Sequence, residues 1–208
     1  MVYICRIKMI LIMSKAEKTK QFIIEKTAPI FNMKGYSGTS ISDITDITGL
    51  TKGSIYGNFE SKDEVAIAVF KYNVKKLHDA FSREIDKQTT FKGKLLVYPK
   101  LYSEYSDLQV TKGGCPILNT ATESDDTHPI LKKYAERTLN YWKEKIMYFI
   151  DQGILAGEFK ANAIDTEKTA LTIIALIEGA IMISKLTNSL DNLSSIMTSV
   201  YKVIDDLE

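Results

Sequence analysis

The sequence is poor in the residues that build disulfide frameworks and histidine-based sites. Its 208 residues include two cysteines, Cys5 and Cys115, and two histidines, His78 and His128. Two cysteines cannot form the disulfide framework of a small secreted domain, so we expect a protein of the reducing cytoplasm. Two histidines exclude a His-rich metal site and leave little for histidine-based catalysis, so no metal is expected.

The sequence also lacks the motifs that common enzymes need. It contains no GxSxG, no HExxH, no paired CxxC and no GxxxxGK[ST]. The pair Gly113-Gly114 is too short and wrongly placed for a nucleotide-binding loop. We therefore expect a protein that is not an enzyme and that carries no cofactor.

Charge of one sign does not dominate the chain, which has 27 basic and 26 acidic residues and a net charge of +1. The distribution is uneven, however. Residues 1–62 contain nine basic and five acidic residues, a balance of +4, whereas residues 63–208 have a balance of −3. A basic N-terminal portion on an acidic body favours a polyanionic partner at that end, although chance scatter would explain the charges alone equally well.

A long hydrophobic run of the membrane-spanning kind is missing at the N-terminus. Arg6 and Lys8 interrupt the first 13 residues, MVYICRIKMILIM, which are also too short to cross a bilayer. Our preferred hypothesis is that translation begins at Met13 instead of Met1. A short N-terminal membrane or partner anchor is the alternative, and the N-terminal mass of the native product would decide between them.

Helical periodicity runs through most of the sequence, and no clear alternating run with hairpin turns occurs. We therefore predict an all-α fold. Pro99 predicts a bend or break within the helical segment Phe91–Leu108. Pro129 is well placed to start a long helix that continues to about Gly153.

The last two predicted helices are strongly apolar. Residues 170–186 are apolar nearly all round, with Glu178 in the middle, so this helix must be buried on several faces. The final helix has an a/d seam, which predicts a homodimeric four-helix bundle, with a seam inside one chain as the alternative. The seam residues are Leu190, Leu193, Met197, Val200, Ile204 and Leu207.

Two short helices joined by a turn are predicted at residues 39–62, TSISDITDITGLTKGSIYGNFESK. Gly49 makes the turn, Ile44 lies on the inner face of the first helix, and Ile55 and Phe59 lie on that of the second. This arrangement is a helix-turn-helix, whose second helix enters the DNA major groove. The second helix exposes hydrogen-bonding residues and no acid, which favours DNA binding over a purely structural role. These residues are Thr51, Lys52, Ser54, Tyr56 and Asn58.

Over residues 35–70, GYSGTSISDITDITGLTKGSIYGNFESKDEVAIAVF, the chain resembles the DNA-binding region of the tetracycline-repressor (TetR) family. With the preceding residues 28–32, the resemblance covers about 55 residues. It implies a three-helix DNA-binding domain at residues 14–61 and a helical ligand-binding and dimerisation domain at residues 62–208. It further implies a homodimeric repressor that leaves its operator, a double-stranded DNA site, when a small molecule binds.

The resemblance also assigns roles within the DNA-binding region. Gly57 stands where the family usually has a larger aromatic residue or histidine, so one side-chain contact should be missing. Helix capping and phosphate contact are expected of Thr39 and Ser40, and phosphate contact at the far edge is expected of Asn58 and Lys62. The recognition surface is expected to consist of Thr51, Lys52, Gly53, Ser54 and Tyr56.

Five residues of the C-terminal domain are candidates for binding the effector. They are aromatic or polar side chains among apolar neighbours. A carboxylate on an apolar helix needs a partner, and aromatic walls are typical of apolar ligand sites. These candidates are Tyr102, Tyr105, Asn119, Trp142 and Glu178. Two other functions stay open: a redox or electrophile sensor that uses Cys115, and a ligand carrier that has lost DNA binding, against which Lys52 and Tyr56 argue.

Overall fold

The computed structural model describes residues 14–103, 113–160 and 164–208, and within these ranges the chain is helical with no strand. The all-α prediction is confirmed. Tyr105 and the alternative starts Met1 and Met13 lie outside the described residues. The helices are α1 (Lys15–Lys34), α2 (Ile41–Thr48), α3 (Lys52–Tyr56), α4 (Lys62–Ile85), α5 (Phe91–Ser103), α6 (Pro116–Ser124), α7 (Pro129–Leu155), α8 (Thr166–Thr187) and α9 (Leu190–Asp205).

The boundaries of the first helices follow from local capping. The Ser40 side chain accepts a hydrogen bond from the Asp43 backbone N–H and starts α2. Gly49 ends α2 in the left-handed conformation, with φ of 68°, which glycine adopts without strain. Thr51 then caps α3 through the Ser54 N–H. The sequence therefore places the turn between α2 and α3 by local chemistry alone.

A small hydrophobic core holds α1, α2 and α3 against the start of α4. Ile23, Ile44 and Ile55 are fully buried, and Phe59 is nearly so. Leu131 of α7 also packs into this cluster. The three N-terminal helices therefore have a core of their own that is completed from α4 and α7.

A second, larger core lies among α4 to α9. Leu95, Ile146, Ile173 and Ile177 are fully buried there. The 24 residues of α4 span about 36 Å at 1.5 Å per residue, and they contribute to both cores. The α4 helix is thus a rigid connection between the N-terminal helices and the rest of the chain.

The a/d seam of α9 faces the interior of its own chain. Met197, Val200 and Ile204 are at most 1% exposed, and α9 packs against α8 and α5. Leu190, by contrast, is 66% exposed. The prediction that this seam forms a dimer is therefore wrong, and the intramolecular alternative is correct, because α5 and α8 already cover the seam.

Two other expectations about the body of the chain also change. The α5 helix continues through Pro99 to Ser103, so Pro99 does not break it. The predicted bend stays a prediction, and residues 104–108 of the predicted helix lie outside the described residues. The α8 helix is long and apolar enough to cross a membrane by composition, but one side of it is packed in the core. Its other side stays exposed at Leu171, Met182 and Leu186, so α8 is not buried on all faces within one chain.

Candidate functional site

The exposed side of α3 forms a polar surface, which consists of the exposed members of the predicted recognition surface, Thr51, Lys52, Gly53 and Tyr56. All four are exposed, whereas Ile55 on the opposite side of α3 is fully buried. The Lys52 ammonium lies 6.0 Å from the centre of the Tyr56 ring. The surface therefore offers one cation, two hydroxyl groups and a close-approaching backbone at Gly53, and it contains no acid.

Thr39 does not belong to this surface, although a phosphate contact was predicted for it. Its side chain is fully buried, and its hydroxyl donates to the Gly35 carbonyl at 2.7 Å. Ser40, as predicted, caps α2 and stays exposed. The Lys34 ammonium, together with Ser40, holds the pKa of Asp43 well below its usual range, so this cap remains ionised.

Lys62 and Asn58 also make internal contacts at the edge of the site. The Lys62 ammonium donates to the carbonyls of Tyr36 at 2.9 Å and Thr39 at 3.0 Å. The Asn58 side-chain amide donates to the Ser54 carbonyl at 2.9 Å. Both side chains thus brace the helix-turn-helix, and a phosphate contact would have to share or replace these hydrogen bonds. Ser54, which was predicted to belong to the recognition surface, is half-buried.

Tyr36 connects the N-terminal helices to α4 and α7. Its hydroxyl donates to the Asp63 carboxylate, and its ring packs edge-on against His128 with ring centres 4.7 Å apart. Burial, followed by Asp63, raises the pKa of Tyr36 to about 12, so the phenol remains neutral. His128, directly before Pro129, caps α7 by accepting a hydrogen bond from the Leu131 N–H.

Glu123, near the end of α6, makes the most direct contact between α6 and the helix-turn-helix. Its carboxylate oxygens accept from the backbone N–H groups of Tyr36 at 2.6 Å and Ser37 at 2.7 Å. Gly35 has a φ of 72°, and a Cβ there would lie 2.3 Å from the carboxylate. The backbone between α1 and α2 therefore packs closely against the Glu123 carboxylate.

A second contact joins the end of α1 to the start of α6. The Asn32 amide donates to the Gly114 carbonyl at 2.9 Å. The Asn119 amide donates to the Asn32 carbonyl at 3.0 Å and to the Gly113 carbonyl at 2.9 Å. The Lys185 ammonium of α8 also donates to the Gly113 carbonyl. This network fixes α6 between α1 and α8.

A cavity of about 80 Å³ lies between α4, α5, α6 and α7. Its walls are mainly aromatic and aliphatic, with Phe81, Tyr98, Tyr102 and Trp142 in contact around one ring cluster. Nine of its thirteen lining residues are apolar or aromatic, which suits an apolar occupant. Ile117 of α6 also lines it, so the helix that holds the helix-turn-helix through Glu123 forms part of the cavity wall.

The five ligand candidates do not all meet at this cavity. Tyr102 and Trp142 line it. Asn119 lies instead in the network at α1, and Glu178 lies near Cys115. Tyr105 lies outside the described residues. Periodicity could place each residue on a helix face, but it could not show which faces meet across 20 to 60 residues of sequence.

Glu178 lies near Cys115 and does not line the cavity. Both of its carboxylate oxygens are buried, with no hydrogen-bond partner among the described residues. Burial raises the pKa of Glu178 to about 7, an effect that the neighbouring Cys115 thiol partly offsets. Burial and the Glu178 carboxylate together raise the pKa of Cys115 well above its usual value. The thiol is therefore protonated and inaccessible.

The raised pKa of Glu178 predicts a loss of stability with rising pH. In the unfolded chain this carboxyl titrates near 4.5, so between pH 4.5 and 7 the unfolded state releases a proton that the folded state retains. The free energy of unfolding should thus fall through this window, by at most about 3 kcal/mol, and level off above pH 7. Urea unfolding at pH 5 and pH 8 measures this difference.

The matched control for that prediction is Glu178→Gln, which keeps the side-chain shape and cannot titrate. We expect the wild type to lose more stability than this variant between pH 5 and pH 8. An equal loss in both proteins would show that Glu178 is already ionised in the folded state.

Sequence reasoning missed Asn32, Asp63 and Glu123 as functional residues. Glu123 lies 87 residues from its partner Tyr36, and nothing in its local sequence distinguishes it from an ordinary exposed acid. The positive φ of Gly35 is a local consequence of the helix end, and it identifies no partner. These residues became visible only through the packing of α6 against α1.

Two family profiles match the chain over the regions just described. The profile "Bacterial regulatory proteins, tetR family" matches residues 23–69, which contain α2 and α3. The profile "Tetracyclin repressor-like, C-terminal domain" matches residues 93–200, just over half of the chain. The first covers the recognition surface, and the second covers much of the larger core and part of the cavity wall.

Individual proteins agree with these profiles. An uncharacterized HTH-type regulator from the lacX 3' region of Lactococcus lactis subsp. lactis is 31% identical over 85% of this chain and 88% of its own length. The HTH-type transcriptional repressor DhaR of Mycobacterium sp. (strain GP1) is 26% identical over 89% and 91%. The crystal structure of a TetR-family regulator from Cytophaga hutchinsonii has 44% identity and a TM-score of 0.89, covering 94% and 98% of the two chains.

The matches span both parts of the chain, and the structure that they imply is the one described above. The exposed recognition surface on α3 also agrees with the way in which helix-turn-helix proteins read DNA. The chain therefore belongs to the tetracycline-repressor family of helix-turn-helix transcriptional regulators.

Proposed function

We propose that this protein is a homodimeric repressor that leaves its operator when a small molecule occupies the cavity between α4 and α7. The observation that carries the proposal is the double role of α6, which lines the cavity with Ile117 and holds the helix-turn-helix with Glu123. A ligand that moves α6 would move the segment that leads into α2. Such a ligand must bind one arrangement of the helices better than the other.

DNA binding and effector binding would each be carried out by the part of the chain around one of the two cores. Residues 14–61 would bind double-stranded operator DNA, and residues 62–208 would bind the effector and the second subunit. The protein would act in the cytoplasm, where its DNA is, and it would need no metal or cofactor. Among the described residues, no group of three or more His, Cys, Asp or Glu side chains is arranged to hold a metal ion.

The outer face of α8 is our proposed dimer interface. Leu171, Met182 and Leu186 are 46%, 52% and 80% exposed, and they follow helical spacing with the exposed Ala175. Leu190 at the start of α9 extends the same apolar area. A second copy of this chain would cover these residues through a two-fold axis and would set the distance between the two recognition surfaces.

The alternative function, a thiol-based sensor, has less support. A sensing cysteine is accessible and has a lowered pKa. Cys115 is completely buried, and its pKa is raised by burial and by Glu178. Cys5 lies outside the described residues. A repressor that responds to a non-covalent ligand accounts better for the cavity and for α6.

The variant Glu123→Ala tests the proposed coupling through α6. It removes both hydrogen bonds to the backbone of Tyr36 and Ser37 while leaving the cavity wall intact. A compound that binds the cavity should bind the variant with an affinity within about threefold of the wild type, yet it should release operator DNA much less. Fluorescence anisotropy of labelled operator with increasing compound measures this release.

The control for this test is Glu136→Ala, which removes an exposed carboxylate from α7 without an interdomain contact among the described residues. It should respond to the compound as the wild type does. Full release from the Glu123→Ala variant would show that α6 does not transmit the signal through this carboxylate.

A further inference from the structure

The charge around the cavity is one-sided. None of its lining residues is acidic, whereas Lys145 and His78 line it. Lys145, on α7, is half-buried, and its ammonium lies 5.2 Å from the ring centre of Phe149 and 5.5 Å from that of Tyr148. Within the described ranges Lys145 makes no salt bridge, although many lysines of this chain do. An unpaired cation therefore borders an apolar cavity.

The cavity lining reaches the surface at His78 and Tyr141, which we call the mouth of the cavity. His78 Nε2 and the Tyr141 hydroxyl are 3.2 Å apart there, and both side chains are about half exposed. Asp79, which follows His78 on α4, interacts with His78 at 3.8 Å but is already paired with Lys75 at 2.5 Å. The polar lining of the cavity thus combines a lysine that makes no salt bridge within the described ranges, an imidazole and a phenol, all of which can donate a hydrogen bond to an anion.

The size of the cavity sets a limit on the apolar part of an occupant. At about 80 Å³ it is smaller than the apolar cavity of about 150 Å³ that holds a benzene molecule. One aromatic ring would therefore enter only with some outward movement of the surrounding helices. The single tryptophan, Trp142, forms part of the wall, and its buried indole N–H has no acceptor among the described residues.

From these observations we infer that the effector is a small aromatic or similarly apolar organic acid, whose body enters the ring cluster and whose carboxylate binds Lys145 at the mouth. This inference rests on the proposed function, since it names the ligand class of the same cavity. A carboxylate would give Lys145 its missing partner, and the ring would bury apolar area against Tyr98, Tyr102 and Trp142. A cationic ligand would instead meet Lys145 with like charge.

The test compares three probes that share one ring and differ in charge: benzoate, benzyl alcohol and benzylamine. Binding is followed at pH 7.5 by Trp142 fluorescence and by the shift in thermal unfolding. Benzoate should bind about tenfold more tightly than benzyl alcohol, as expected for a hydrogen bond to a charged group, and benzylamine should bind more weakly than either. The preference for benzoate should shrink at high salt.

Lys145→Met is the informative variant, because methionine keeps most of the apolar stem against Phe149. It should reduce the tenfold preference for benzoate to less than about threefold while leaving benzyl alcohol binding unchanged. Lys133→Met, on the exposed side of α7, is the matched control and should behave as the wild type. Both variants should bind operator normally in the absence of probe.

Three results would overturn the inference: equal or tighter binding of benzyl alcohol or benzylamine, an unchanged benzoate preference in Lys145→Met, or no binding of any probe up to its solubility limit. None of these would affect DNA binding. If the wild-type protein did not bind operator DNA at all, the proposed function would be refuted instead. Failure of the ligand inference and failure of the proposed function are therefore distinguishable.

Discussion

Removing Lys52 and Tyr56 together should lower operator affinity on the order of 10³-fold, because each subunit of a dimer would lose two contacts of about 1 kcal/mol each. Both side chains are exposed on α3, and neither packs in a core. The double variant Lys52→Ala, Tyr56→Ala should therefore fold normally. Anisotropy with a duplex selected from random DNA by the wild-type protein measures the affinity.

Salt dependence distinguishes the two side chains. For a dimer with roughly 6–10 phosphate contacts, wild-type affinity should fall about 10³–10⁵-fold between 50 and 200 mM salt. If Lys52 contacts phosphate, Lys52→Ala should reduce the slope of log affinity against log salt by about two, one contact per subunit. Tyr56→Ala should leave the slope unchanged, because it removes no charge.

The matched control for this experiment is Lys133→Ala with Tyr148→Ala. It removes the same two residue types from exposed positions on α7, far along the chain from α3. This control should bind operator as the wild type does. Full operator affinity in the Lys52→Ala, Tyr56→Ala variant would contradict the assignment of α3 as the recognition helix.

A charge on the buried side of α8 or α9 should unfold the protein, whereas a charge on the outer face of α8 should only separate the subunits. Ile177 and Val200 are fully buried in the larger core. Glutamate at either position would bury an unpaired charge at a cost of several kcal/mol, a large part of a typical total stability of about 5–15 kcal/mol. Circular dichroism should show an unfolded or strongly destabilised chain.

Met182→Glu should give the opposite result, because Met182 is 52% exposed in the single chain. The variant should stay folded and sediment as a monomer at micromolar concentration, where we expect the wild type to sediment as a dimer. Asn140→Glu, an exposed position on α7, is the control and should remain dimeric. A stable folded monomer from Ile177→Glu, or a dimer from Met182→Glu, would contradict this assignment of faces.

The helix-turn-helix could be predicted from sequence because its determinants are local. Ser40 and Thr51 cap α2 and α3, and Gly49 makes the turn between these two helices. Ile44 and Ile55 lie on the buried sides of α2 and α3, opposite the exposed residues. Each feature depends on neighbours within a few residues. The same periodicity also indicated which side of α3 would face outward.

The prediction that the α9 seam forms a dimer was wrong because the sequence pattern does not identify the partner of a buried face. The spacing of Met197, Val200 and Ile204 shows that one face of α9 is buried, but it does not show what buries it. The structure places α5 and α8 of the same chain there. An apolar face that the chain leaves uncovered lies instead on α8, where near-uniform hydrophobicity conceals any single stripe.

The sequence pattern could not predict polar contacts between residues that are far apart in the chain. The apolar surroundings of Glu178 led to the prediction that this carboxylate binds the effector or another partner, but its neighbour Cys115 lies 63 positions earlier in the chain. Thr39 was wrongly assigned a phosphate contact, because the sequence alone does not show whether a threonine before a helix cap is exposed or buried. The contact of Glu123 with the segment after α1 depends on where α6 packs, which no local pattern encodes.

The central claim, that cavity and recognition surface are coupled, is tested most directly by measuring both affinities on the same protein. The compound that binds the cavity most tightly is titrated into wild-type protein, with and without saturating operator, and Trp142 fluorescence is followed. Operator affinity is then measured with and without saturating compound. The account predicts that each ligand weakens the other by the same factor, because binding free energies are reciprocally linked. Unchanged operator affinity at full occupancy of the cavity would contradict it.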